Sequence, residues 1–213
     1  MTPELAVVIP TVGRLTLLST LDALEAQPGR DLLEVLVVAD TLGGLTADLE
    51  QARAHVRDER PDWMHWIEHD GGVHCYGQPQ RMCGARSATA PWVWFGQDDN
   101  VAAADAVTGI LTAIARQSSS RPIFGKVTTH WRDVVWRTPQ LALGNIDADC
   151  LVLPRFIAER VIWGLRYEGD FDAAQDAMRL SDGGVDWLDQ VLAIARPDAE
   201  HRWWDQVAVE ASA

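Results

Sequence analysis

The chain has 213 residues, 47% of them hydrophobic, with no long low-complexity stretch, which is enough to bury a core and predicts one domain. A formal net charge of −13 opposes sequence-independent binding to nucleic acid, since that binding needs a dense lysine and arginine surface to displace counterions. Apolar runs such as Leu5 to Ile9 and Leu32 to Val38 fall far short of the roughly 20 residues of a membrane-spanning helix, and the start of the chain lacks the basic segment and apolar core of a signal peptide, so a cytoplasmic protein is expected.

Leu5 to Ile9 reads as a strand closed by Pro10. After Thr11 to Gly13, the stretch Arg14 to Ala26 places Leu15, Leu18, Leu21 and Leu24 at helical spacing. Pro28 and Gly29 end that helix. Glu34 to Ala39 is a second strand ending at Asp40, followed by a loop at Gly43 and Gly44 and a helix from Thr46 to Val56. Trp63 to Glu68 reads as a third strand and Gln80 to Thr89 as a short helix. A fourth strand, Trp92 to Phe95, runs into Gln97, Asp98, Asp99 and Asn100, and a helix follows from Ala103 to Arg116. This alternation predicts an α/β fold with a mostly parallel sheet, covering helices and right-handed crossovers.

The second half is less regular. Pro122 to Thr128 and Asp149 to Leu153 suit strands, Pro154 to Ile162 a helix with proline in its first turn, and Phe171 to Leu180 another helix. Val185 to Leu188 reads as a short strand beyond Gly183 and Gly184. Cys75, Cys83 and Cys150 lack paired metal-ligand spacing, so free thiols are expected.

In open α/β sheets ligands settle outside the carboxyl ends of the strands, which singles out Pro10 and Thr11, Asp40, and Asp98 to Asn100. Adjacent carboxylates at a buried strand end repel one another unless a cation or strong donors meet them, so a divalent metal is one partner for Asp98 and Asp99. A solvated turn with a helix cap is the other reading, and the pattern by itself supports both equally.

Taken together, these segments resemble the family 2 glycosyltransferases of the GT-A fold. The resemblance rests on Leu5 to Arg14, the leucine-rich helix closing at Gln27, Glu34 to Asp40, Gly77 to Gly84, and Ala90 to Asn100 leading into a DXD-like motif. It implies a single GT-A-like, Rossmann-like domain, with residues 1–100 as the nucleotide-sugar-binding half and 101–213 as the acceptor-binding half. By the same resemblance, Pro10, Thr11 and Arg14 lie by the nucleotide. Asp40 accepts a hydrogen bond from the base, and Arg81 sits near the diphosphate and sugar. Asp99 ligates a Mn2+ or Mg2+ ion, with His201 as a candidate further ligand. Gln97 stands where the motif usually has its first aspartate, so either Gln97 or Asp98 takes over the ribose and water-mediated contacts, and a looser metal dependence is one expected consequence. Gly144 to Asp147 resembles the acceptor-side floor, and Asp170 the general base, with Asp172 and Glu168 as fallbacks.

The expected reaction is inverting transfer of one sugar from a nucleotide-diphosphosugar, a UDP-sugar by default, to a hydroxyl of a soluble acceptor: a small molecule, a protein or a modified base. Two further readings are a sugar nucleotidyltransferase, disfavoured because Thr11 to Arg14 is too poor in glycine for a phosphate loop, and a non-catalytic nucleotide-sugar or carbohydrate-binding module. Among the ten tryptophans, Trp131, Trp136 and Trp163 are candidates for stacking on a sugar or aromatic acceptor. His74 and His130 have no assigned role.

Overall fold

In the computed structural model, which describes residues 2–71, 75–129, 134–135, 138–181 and 184–196, β1 (Leu5–Thr11) lies inside a sheet and is buried along its whole length. It pairs in parallel with β2 (Leu33–Asp40) and β4 (Trp92–Phe95), and β2 pairs in parallel with β3 (Met64–His69). Strands covered on both faces need apolar side chains at nearly every position, which is why β1, β2 and β4 read as continuous apolar runs while the edge strand β3 does not. Between them run α1 (Thr16–Glu25), α2 (Ala47–Glu59) and α3 (Gln78–Ser87). Thr46 caps α2 by accepting from Leu49 N at 3.2 Å, and Asp48 and Glu50 in the first turn suit the positive end of that helix.

Beyond β4 the sheet becomes mixed. β5 (Asn100–Ala102), α4 (Ala106–Arg116), β6 (Ile123–Thr129) and β7 (Val134–Val135) precede β8 (Leu151–Pro154), α5 (Arg155–Ala158), α6 (Gly169–Leu180) and β9 (Asp186–Ala195). The order across the sheet is β3-β2-β1-β4-β8-β6-β9-β5, with β7 on β6. β8 runs antiparallel to both β4 and β6, β9 runs parallel to β6, and β5 runs antiparallel to β9. Six strands therefore point one way, and β5, β7 and β8 oppose them.

Three expectations change. β5 is a strand where only the approach to a helix was read. β9 runs to Ala195 instead of stopping at Leu188, because it pairs with β6 from Asp186 to Ala195 and, over Ala193 to Ala195, with β5 as well. The helix expected from Pro154 to Ile162 stops at Ala158. Among the described residues no helix is long and apolar enough to cross a membrane, and Cys75, Cys83 and Cys150 are free thiols.

The sheet ends are staggered, and this makes the site. β4 matches β1 only up to Phe95 opposite Val8, with Gly96 N donating to Val8 O at 2.8 Å. β1 continues to Thr11, so the chain leaving β4 at Gln97 turns alongside the carboxyl end of β1. α3 packs on β1 and β2, and its approach is close because residue 84 is glycine: a Cβ there would lie 2.4 Å from Val8 Cγ1.

Candidate active site

Thr11, at the end of β1, donates from Oγ1 to Asp98 Oδ2 at 2.8 Å and accepts from Gly13 N at 2.9 Å. Arg14, just beyond, places Nη1 at 2.9 Å from Asp98 Oδ1 and 3.3 Å from Asp99 Oδ2. Arg196, the residue after β9, adds Nε at 3.1 Å from the same Asp99 oxygen. Asp98 is thus held on both oxygens. Burial nonetheless raises its proton affinity, against the pull of Arg14 and Thr11. Asp99 Oδ1 is buried and has no hydrogen-bond partner.

Gln97 points the other way. Its Nε2 donates to Asp147 Oδ1 at 2.8 Å and Asp149 Oδ2 at 2.9 Å, and Asn100 Nδ2 donates to the same Asp149 oxygen at 2.5 Å. Asp147 opens the 3₁₀ turn Ala148–Cys150 and caps it by accepting from Asp149 N at 3.0 Å. Asp149 is fully buried, and desolvation, followed by the nearby Asp147 carboxylate, pushes its proton affinity well above the ordinary carboxylate range.

Arg81 joins the two groups. It is buried on α3, donates from Nη1 to Tyr76 O at 2.7 Å, and lies with Cζ 5.2 Å from the centre of the Trp163 ring. Burial lowers its pKa, while the fields of Asp149, Asp147, Asp170 and Asp98 raise it. Those four carboxylates come from three separate segments, and the field of each reaches this one guanidinium. Gly77, at φ +78°, lets α3 start against β1: a Cβ there would sit 2.7 Å from Pro10 Cβ and 3.0 Å from Arg81 Nη1.

Asp170 is the second residue of α6 and does not cap it; the residue before the helix is Glu168. Its Oδ1 accepts from Phe171 N at 2.7 Å. Desolvation and the Asp147 carboxylate push its pKa up to about 6, in spite of that hydrogen bond and Arg81. The two fallbacks are placed differently. Asp172 is engaged by Arg166 through both oxygens, at 2.8 and 2.5 Å, which depresses its pKa and makes it a weaker base. Glu168 stands at the mouth of the helix.

Asp40 ends β2 opposite His69 of β3 and accepts from Leu42 N at 3.0 Å, which steadies the loop beside it. Trp163 is buried, edge-on to Phe95 at 5.0 Å, so it belongs to the core and not to a sugar-stacking surface. His74, His130, Trp131, Trp136 and His201 lie outside the described residues. Among the described residues no group of three histidine, cysteine, aspartate or glutamate side chains is arranged to hold a metal. The structure adds Asp149 and Arg196 to the site. Asp149 had a faint signal as the polar residue opening the run to Leu153; Arg196 had none.

No protein-family model and no curated protein matches the chain. Solved structures do. S. aureus TarS matches with a TM-score of 0.68 at 14% identity, over 92% of this chain and 37% of TarS. The TarS 1–349 structure in complex with UDP matches at 0.65 and 14%, over 90% of this chain and 60% of that one. The complex with UDP-GlcNAc matches at 0.60 and 14%, over 90% and 58%. The chain spans less than two thirds of the length of these neighbours. At this identity the likeness establishes the fold, a GT-A-like α/β domain, in agreement with the sequence resemblance.

Proposed function

We propose that the chain is an inverting glycosyltransferase that moves one sugar from a nucleotide-diphosphosugar, a UDP-sugar first of all, to an acceptor hydroxyl. The observation that carries this reading is that Asp98, held by Thr11 and Arg14 at the end of β1, and Asp170, in the first turn of α6, both act through their fields on the buried Arg81. A donor-side and an acceptor-side carboxylate thereby both influence one buried cation near the carboxyl ends of the parallel strands. Neighbours of this fold solved with UDP and UDP-GlcNAc support the choice of donor.

In this reading Pro10 and Thr11 line the nucleotide and Asp40 accepts from its base. Arg14, whose side chain is 55% exposed, and Arg81 bring N–H donors to the diphosphate. Asp170 accepts the proton of the acceptor hydroxyl as that oxygen bonds to the anomeric carbon. The bond from that carbon to the diphosphate oxygen breaks, its electron pair leaves with the nucleoside diphosphate, and the configuration inverts. Gln97 holds Asp147 and Asp149 in place, and Asp98 keeps the ribose-side role.

The buried, unpartnered Asp99 Oδ1 fits a divalent cation, Mn2+ or Mg2+. When bound, such an ion neutralises the charge that develops on the leaving diphosphate. Asp99 would be its ligand within the described residues, and His201 is a candidate from the tail.

The test is release of UDP from UDP-GlcNAc and related UDP-sugars with water in place of the acceptor. Wild type releases UDP slowly, and Asp170→Asn slows release by about 10²-fold or more while UDP still raises the melting temperature. Equal release by both proteins contradicts the assignment of the base. A binding module would give the melting shift with no release from either protein.

A further inference from the structure

Tyr76 and Tyr167 stand at the rim of this site with 65% and 69% of their surfaces exposed, yet they are fixed against each other edge to face, ring centres 5.6 Å apart at 83°. Single exposed aromatics are ordinary. This pair differs from them in two ways. Tyr76 has φ +50°, a left-handed conformation that a bulky residue adopts only when its surroundings impose it. The pair also bridges the two segments that carry the proposed chemistry. The Tyr76 carbonyl receives Arg81, and Tyr167 lies three residues before Asp170. Beneath the rings the same segments are locked: Gln78 Nε2 donates to Arg166 O at 3.1 Å, and Gly169 packs so closely on Gln78 that a Cβ would lie 2.5 Å from that nitrogen.

We propose that Tyr76 and Tyr167 form an aromatic platform for the acceptor, and that the acceptor group it takes is a neutral saccharide ring. This rests on the transferase reading above. A sugar ring has an apolar C–H face that packs on a phenol ring and hydroxyls at its edge that reach polar groups, so a platform beside Asp170 holds the ring while presenting a hydroxyl to the base. Tyrosine supplies such a surface at low conformational cost, with two side-chain torsions and a hydroxyl for the wet rim. The net charge of −13 and the carboxylates around Arg81 oppose an anionic acceptor.

The test is retention on an array carrying neutral oligosaccharides and serine- and threonine-containing peptides, run both without nucleotide and with UDP and Mn2+, for wild type, Tyr76→Ala, Tyr167→Ala and Tyr167→Phe. Both tyrosines are exposed, so the alanine variants fold, and the UDP melting shift checks this for each. The expected result is retention of wild type by at least one neutral glycan, weakened about threefold to tenfold by either alanine variant and kept by Tyr167→Phe. Retention by no glycan, by peptides alone, or equally by wild type and the alanine variants overturns the platform. Glycan retention is read without reference to the nucleotide, so loss of the UDP shift in wild type would count against the donor site and leave the platform result standing.

Discussion

Gln97 Nε2 donates to Asp149 Oδ2 at 2.9 Å, and this contact gives a physical reason for an amide at the first position of a motif that resembles DXD. The same nitrogen reaches Asp147, so a carboxylate at position 97 would remove the donor that both aspartates use and add a third acidic group beside them. Gln97→Asp, which restores the motif's usual residue, is therefore expected to destabilise the protein by about 2–4 kcal/mol, through a lost donor and a buried like-charge contact. Urea unfolding measures this; a variant as stable as wild type would contradict the role of the amide.

Asp170 provides a pH signature. Its pKa in the folded protein, pushed up to about 6, lies above its value in the unfolded chain, so the folded state holds the proton more tightly. The resulting stability is complete below the unfolded pKa and is lost as pH rises through about 6. Asp170→Asn removes that loss and keeps an oxygen for Phe171 N. It should raise the stability of the nucleotide-free protein at pH 8 by about 1–3 kcal/mol, with little effect near pH 4. Turnover by wild type should rise with pH through about 6 as the base ionises. Melting curves of both proteins across that range decide the matter.

Gly77 is the hinge on which α3 enters the site. Gly77→Ala meets an unfavourable φ and two close neighbours, Pro10 and Arg81. The expected cost is about 1–3 kcal/mol, together with weaker nucleotide binding because Arg81 must shift. A stable variant with unchanged binding would show that the close approach is not needed.

Much of this was legible in the sequence where local pattern and burial agree. β1, β2 and β4 are covered on both faces, so they appear as apolar runs, and the polar residues after them mark the site directly. Thr11, Asp98 and Asp99 fall together for that reason. The second half is harder because β5 and β9 are only partly covered. β9 is half-buried along most of its length and shows no clean alternation, and β5 has three residues whose strand character comes from pairing with Ala193 to Ala195. The partners of Gln97 lie about fifty residues downstream, and Arg196 meets Asp99 across almost half the chain, so neither contact has a local signature. Trp163 shows the opposite error: a tryptophan in an irregular stretch resembles a surface platform until its packing on Phe95 is known.

The most direct test of the central claim is thermal melting with UDP and UDP-sugars, with Mn2+ and then with a chelator, on wild type and Asp99→Ala. Binding to the folded state alone at about 100 times the dissociation constant adds about 2.7 kcal/mol, a rise of roughly 5–10 °C for a chain of this size. The account predicts that rise for wild type with UDP and Mn2+, and its loss with chelator or in Asp99→Ala. No shift with any nucleotide would contradict the donor site, and an undiminished shift in Asp99→Ala at saturating Mn2+ would contradict the role of Asp99 in holding the cation.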